Sequence, residues 1–241
     1  TVFHTVDVLA GIVMAQIVRP GASVLFGGAP AAFHMRETTA PMSAVEAMRL
    51  DMAYAAVGKH LGLPTQTYLG MSENRAVDAQ AGAESFGGAL LAALAGINSV
   101  SGPGMLDYTI AFSLPKLVLD DELCGQALHF VREVALVDDL PITELVQEQL
   151  AKSNLLTAKH TLAHWRDELY LPGPVFDRQS ADNWTKSGSR TLMERAVDEV
   201  EARLAAYEAM ETDPRIDKEL RALLVAGMGR SATLPDVPLA P

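Results

Sequence analysis

The sequence predicts an α/β protein made of βα units of a TIM-type (β/α)8 barrel, followed by a helical C-terminal extension. Helix-then-strand signals recur, with strand starts near residues 23, 65 and 97, and after residue 140 the pattern changes to amphipathic helices alone. Three or four such units make about half of an eightfold barrel, which by itself takes roughly 250 residues. The division expected is residues 1–140 for the βα units, 141–230 for the helical extension and 231–241 for a Pro-rich mobile tail.

Val6 to Val18 has the apolar spacing of a buried helix, stopped by Pro20-Gly21. Ser23 to Phe26 reads as a buried strand ending in Gly27-Gly28. After a loop, Ser43 followed three residues later by Glu46 predicts a capping box, opening a helix that ends near His60. Gly62 and Pro64 break it, and Thr65 to Leu69 is the next strand. Val77 to Ala95 is a helix dense in Ala and Gly, so it should pack closely on its neighbours, and Ile97 to Ser101 is a third strand closed by Gly102-Pro103-Gly104. Tyr108 to Phe112 is an irregular last strand, and the helix after it starts at Ser113 with Pro115 in its first turn. Farther on, Thr143 to Lys152 and Thr191 to Met210 are amphipathic helices, the second with Leu192, Ala196, Val200, Leu204 and Tyr207 on one face.

This order places Glu73, Asn74, Arg75 and Asp78 at the carboxyl end of a strand, where catalytic groups gather in parallel α/β proteins. The 30 acidic and 19 basic residues, a formal charge of -11, argue against a nucleic-acid surface, which needs clustered Lys and Arg. They also argue against anchoring to anionic lipid. Cys124 is the only cysteine, so intrachain disulfides and multi-cysteine metal sites are excluded. The longest apolar stretch, Ala89 to Ile97, is too short to span a membrane, and no signal peptide is visible. The reading is of a cytoplasmic protein. The chain opens on Thr1 without an initiator Met and runs at once into an apolar helix, so an upstream segment is expected.

Several stretches, in this order and spacing, resemble one family. They are Val8-Leu-Ala-Gly-Ile-Val-Met-Ala-Gln16, Gly27-Gly28 with Met35-Arg36, Asp78-Ala-Gln-Ala-Gly82 and Gly104-Met-Leu106. Lys116-Leu-Val-Leu-Asp120, His160-Thr-Leu-Ala-His164 and Phe176-Asp-Arg178 with Trp184 continue the series. Together they resemble the corrinoid-dependent trimethylamine methyltransferase family, over the C-terminal half of a typical member. The resemblance implies a TIM barrel that passes a methyl group from a methylated amine to the cobalt of a separate corrinoid protein. Trimethylamine-specific members carry pyrrolysine at a position that falls near Gly70 to Asn74, where this chain has standard residues only. A quaternary amine such as a betaine is therefore the expected substrate. The family's Asp-Ser-Lys run is replaced here by Glu73-Asn74-Arg75, which keeps the charge order and changes the side-chain lengths.

Such a site must hold a cation and exclude water. Aromatic faces hold quaternary ammonium groups, worth about 0.5–2 kcal/mol each. Phe26, Phe33, Tyr68 and Tyr108 lie at or beyond strand ends, where they either form such a cage or pack the rim. Glu73 is the stronger candidate to balance the substrate's charge, since no local duty is evident for it. Asp78 has equal claim as a helix cap. Arg75 or Arg36 is placed either to clamp a substrate carboxylate or in surface ion pairs, and His34 and Asn74 complete the candidate substrate contacts. Gly28, Gly102, Gly104 and Met105 are the candidate contacts to the corrinoid (cobalamin) of the partner protein. His160 and His164, four apart, have a chelating spacing but no third ligand, and are read as packing; no bound metal is expected.

A half barrel leaves two strand edges open. A companion half-barrel chain or homo-oligomer is therefore an expected partner, unless the chain is a fragment. The alternative function is a non-catalytic amine-binding or scaffold module that keeps the barrel fold.

Overall fold

The computed structural model describes residues 1–137, 141–208 and 212–228, so the expected tail 231–241 and the expected boundary at residue 140 lie outside the described residues. The chain divides into two compact units, 1–200 and 201–241. In the first unit, helix α1 (Val2–Val18) leads to an extended segment that meets its neighbour at one parallel bridge, Phe26 to Thr65. Helix α2 (Val45–His60) follows, then strand β1 (Gln66–Thr67), helix α3 (Ala79–Leu94) and strand β2 (Ser99–Val100), which pairs parallel with β1.

Three parallel segments thus stand side by side, each followed by a helix. Backbone bonds join them: Gln66 N–H to Phe26 O (3.1 Å), Ser99 N–H to Thr65 O (3.1 Å) and Ser101 N–H to Thr67 O (2.9 Å). The regular ladders are two residues long, shorter than the Ser23–Phe26, Thr65–Leu69 and Ile97–Ser101 strands the sequence predicts. Extended residues become ladder only where a neighbour supplies donors and acceptors, and among the described residues no closed barrel forms. Tyr108–Phe112 departs further. Asp107, Tyr108 and Thr109 have positive φ (47°, 55° and 68°), and this turn folds β4 (Ala111–Phe112) back antiparallel on β3 (Met105–Leu106).

Helix α4 (Leu114–Phe130) starts as expected. The Ser113 hydroxyl accepts from Lys116 N–H, and Pro115 occupies the first turn, where its missing N–H costs nothing. Helices α5 (Ile142–Lys152), α6 (Lys159–Glu168) and α7 (Ala181–Lys186) come next, then α8 (Leu192–Ala205) and α9 (Pro214–Gly227). The core has two parts. Met48, Leu69 and Ala92 fill the space between helices and sheet, while Val118, Leu119 and Leu123 of α4 meet Val175 and Ala196. The Ala/Gly-rich α3 comes as close as predicted: a Cβ on Gly88 would lie 2.5 Å from Gly70 N. Helix α1 differs from expectation, because it buries none of its residues; Phe3, Val13, Met14, Ile17 and Val18 are exposed. One face, with Val8, Leu9 and Ile12, is half-buried and meets α2 through His4, while the opposite apolar side is uncovered among the described residues.

Inside α2 sits a buried polar cluster. The Tyr54 hydroxyl bonds Gln66 O (2.5 Å) and Gly28 O (3.1 Å), and the His4 ring packs on Tyr54 at 4.4 Å. Asp51, 3% exposed, has no hydrogen-bond partner for Oδ1 among the described residues, and burial pushes its carboxyl up from 3.8 to about 7. A folded-state value above the unfolded one means that the folded protein holds the extra proton, so Asp51 makes stability fall as pH rises from about 4 to about 7. His4 acts oppositely on the acid side, since burial lowers its pKa and its protonation disfavours the fold. Comparison with Asp51→Asn isolates the carboxylate. The variant is expected to gain on the order of 2–4 kcal/mol over the parent at about pH 8 and little at about pH 4, read from urea midpoints. Equal midpoint differences at both pH values would refute this assignment.

Candidate active site

Three loops follow the carboxyl ends of the three parallel segments: 27–44, 70–78 and 101–113. The middle one is tied to both others. Ser72 N–H donates to Met105 O (3.2 Å), and Asp107 N–H donates to Asn74 O (3.0 Å). On the other side, Ser43 Oγ donates to Met71 O (3.1 Å). Glu73 makes the second link, its Oε1 accepting the backbone N–H groups of both Met42 and Ser43 at 2.6 Å.

These bonds correct two sequence expectations. Ser43 and Glu46 form no capping box: the N-cap of α2 is Ala44, it has no side-chain cap, and the Ser43 hydroxyl is turned to Met71. The residue that satisfies the free N–H groups ahead of this helix is Glu73, thirty residues away in sequence. Glu73 therefore has a structural duty that the local pattern does not show, and it is buried at 7% exposure. Its second oxygen, Oε2, accepts no hydrogen bond among the described residues.

Glu84 of α3 locks the same loop from beneath. Its Oε2 accepts from Ser72 Oγ (2.5 Å) and Glu73 N–H (3.1 Å), and Gln80 Nε2 holds its Oε1 (2.9 Å). Asp78 caps α3, with Oδ1 accepting from Gln80 N–H (2.9 Å) and Ala81 N–H, and Asn74 Nδ2 donates to that same oxygen at 2.6 Å. Of its two possible duties, the cap is the one the geometry displays. Arg75 pairs with Asp107 at 3.1 Å while remaining 72% exposed, the surface ion pair rather than a free clamp. Glu73 and Asp78 of this loop, with Glu84 of α3 and Asp107 of the loop after β2, set four carboxylates against the one guanidinium of Arg75, so the surroundings of the loop are acidic.

The other candidates scatter. Phe26 is fully buried and packs on α2, where a Cβ on Gly58 would lie 2.9 Å from its ring; it belongs to the core and not to a cage. Tyr68 is half-buried beside β1, and Tyr108 is half-buried at the tip of the β3–β4 turn. Phe33, His34 and Arg36 are exposed. His34 closes its own turn, bonding Thr39 O (2.7 Å) and accepting Glu37 N–H at Nδ1 (3.2 Å). Among the described residues no hydrogen bond or ion pair joins Phe33, His34 or Arg36 to Glu73.

At the glycines expected to meet a corrin, the side that a Cβ would occupy is taken by this chain. A Cβ on Gly28 would strike the His4 ring, one on Gly102 would lie 2.7 Å from Tyr68 O, and one on Gly104 would lie 2.5 Å from the Phe112 ring. The faces that lack a side chain are filled by this chain itself, and Met105 gives its carbonyl to Ser72. The glycines thus serve close internal packing. His160 and His164 lie on α6 with ring centroids 5.0 Å apart. A mainly apolar cavity of about 640 Å³ between α3 and α4 is lined by Val77, Phe86, Leu119, Leu123, Phe176 and Leu192, with Asp78 and Gln126 at its wall; Asp78 Oδ1 is already engaged by the N-terminus of α3 and by Asn74.

Sequence reasoning missed Glu84 and Asp107, whose roles depend on contacts across loops. It also passed over Lys116 and Asp120 as a pair, although two charges four apart on an apolar helix are a visible signal.

Residues 2–228 match the family model described as trimethylamine methyltransferase. A glycine betaine methyltransferase of Desulfitobacterium hafniense (strain Y51) is 32% identical over 219 residues, 90% of this chain and 45% of that protein. The trimethylamine methyltransferase MttB of Methanosarcina barkeri is 30% identical over 225 residues, 92% of this chain and 45% of its own length. The MttB of Methanosarcina thermophila is 30% identical over 223 residues. The chain spans about half the length of the curated relatives it matches. With nearly its whole length inside the match, and its acidic loop at the carboxyl end of parallel strands, the chain belongs to the trimethylamine methyltransferase family.

Proposed function

We propose that this chain forms the amine-holding part of a methyltransferase that takes a methyl group from a quaternary or tertiary methylated amine of betaine type. In this reading it is the C-terminal half of a (β/α)8 barrel, cytoplasmic, and the acceptor is the Co(I) of a corrinoid protein that lies outside this chain. A homo-oligomer or a companion half-barrel would cover the open strand edges.

One observation carries the reading: Glu73. Two backbone N–H groups pin Oε1, and Oε2 accepts no hydrogen bond among the described residues, in acidic surroundings at the carboxyl end of the sheet. A carboxylate fixed in this way loses little freedom on meeting a cation, which favours binding. The reaction suits such a site. As the C–N bond breaks, its electron pair stays on nitrogen, and a charged ammonium becomes a neutral amine, so no general acid is needed. The chain's task is to bind and orient the cation, with Glu73 supplying the charge and the half-buried Tyr68 and Tyr108, which follow β1 and β3, as candidate aromatic faces. Family membership supports the methylated amine, and the standard residues across Gly70–Asn74 favour a quaternary one.

The test is a panel of methylated amines incubated with the chain and Co(I) cobalamin, with loss of the Co(I) spectrum as readout. Turnover with a betaine is the expected result. Calorimetric binding without turnover would favour the amine-binding module instead, and neither binding nor turnover would overturn the assignment of this loop.

A further inference from the structure

Lys116 and Asp120 are an ion pair that no step of the proposed reaction uses. Their side chains are 0% and 1% exposed, and Lys116 Nζ contacts Asp120 Oδ2 within one turn of α4. Nζ also donates to Ser85 Oγ of α3 at 2.8 Å. The same Asp120 Oδ2 accepts Gly104 N–H at 2.7 Å, while Oδ1 has no hydrogen-bond partner among the described residues. Burying two charges is costly, and an apolar pair of similar volume is often as stable or more so. Stability alone therefore gives little reason for this pair.

Its contacts point to a different role. Gly104 has φ +84° and sits between β2 and β3, and its carbonyl receives Ser113 N–H at 3.0 Å. The next residue, Met105, gives its carbonyl to Ser72 N–H. Ser72 Oγ and Glu73 N–H both bond Glu84 Oε2, and Glu73 in turn holds Met42 and Ser43. A continuous set of hydrogen bonds runs from the buried pair on α4, through the loop after β2, to the carboxylate in the loop after β1.

We propose that Asp120, neutralised and held by Lys116 and Ser85, is a positioning residue that fixes the 102–106 segment against the 72–74 loop and so sets the place of Glu73. The importance of that place rests on the proposed function; the positioning itself does not. Two double variants separate position from stability. Lys116→Met/Asp120→Leu removes both charges and the acceptor for Gly104 N–H. Lys116→Met/Asp120→Asn removes both charges and keeps an acceptor oxygen.

Amide hydrogen exchange, read peptide by peptide, should rise at least about tenfold over 70–76 and 101–107 in the Leu variant, with α6 unchanged. The Asn variant should restore protection at both loops. Parent-like protection in the Leu variant, or a uniform rise in every peptide of both variants, would overturn the proposal. If the Leu variant does not fold, Asp120→Ala against Asp120→Asn makes the same comparison, with the same two outcomes decisive. Calorimetry with a betaine on the same samples reports separately. A parent that binds no amine defeats the functional reading, while the exchange pattern still decides the positioning.

Discussion

Gly102→Ala is expected to destabilise the protein by about 3 kcal/mol, a loss at the upper end for a single added methyl group. The new Cβ would lie 2.7 Å from Tyr68 O and 2.8 Å from Met71 N, and closer still to Leu69 O. All three are backbone atoms of the segment leaving β1, and none can swing aside as the tip of a side chain can. Relief requires β1 and β2 to separate, which weakens the parallel bonds from Ser99 and Ser101 and shifts the Ser72–Asn74 loop. Gly87→Ala is the control. Gly87 lies in α3 with nothing within 4 Å of its would-be Cβ, so the change should stabilise by about 0.5–1 kcal/mol through helix propensity. Chemical denaturation of the two variants checks both signs, and near-equal midpoints would contradict the close approach of β1 and β2.

The contrast between these glycines shows what the sequence could and could not reveal. Gly102-Pro103-Gly104 is readable as a strand end, because glycine and proline stop regular structure locally. Which face of Gly102 is crowded depends on Leu69 and Tyr68, more than thirty residues earlier, and no local rule reports that. The same division runs through the helices. Asp78 and Ser113 act as caps because a cap is a contact over two or three residues. Ser43–Glu46 has the same local signature and fails, since Glu73 reaches the free N–H groups first and Ser43 turns to Met71. Helix α1 was legible as apolar, but whether that face is covered depends on what lies beside it. Of the candidate site, the acidic loop was legible from its place after a strand. The locking by Glu84, the Arg75–Asp107 pair and the filled faces of Gly28, Gly102 and Gly104 were not, because each is a meeting of separate loops.

Glu73 joins structure and proposed chemistry, and two substitutions separate them. Glu73→Ala removes the acceptor of Met42 N–H and Ser43 N–H, two charge-assisted bonds at 2.6 Å on a residue 7% exposed. Bonds to charged groups contribute about 1.5–3 kcal/mol each, and the two overlap, so a loss of about 2–4 kcal/mol is expected. Glu73→Gln keeps a carbonyl oxygen able to take both N–H groups, so folding should suffer by about 1 kcal/mol or less. The charge is what Gln lacks. In the proposed reaction the substrate is a permanent cation until the C–N bond breaks, so the carboxylate stabilises the ground state at least as much as the transition state. Its loss should raise KM for the amine severalfold with a smaller change in kcat. Calorimetric affinity and steady-state kinetics on the Gln variant, beside the denaturation midpoint of the Ala variant, measure the two roles independently. Parent-like amine affinity in Glu73→Gln, together with a destabilised Glu73→Ala, would leave Glu73 as a tertiary cap ahead of α2 and move the cation site to another loop.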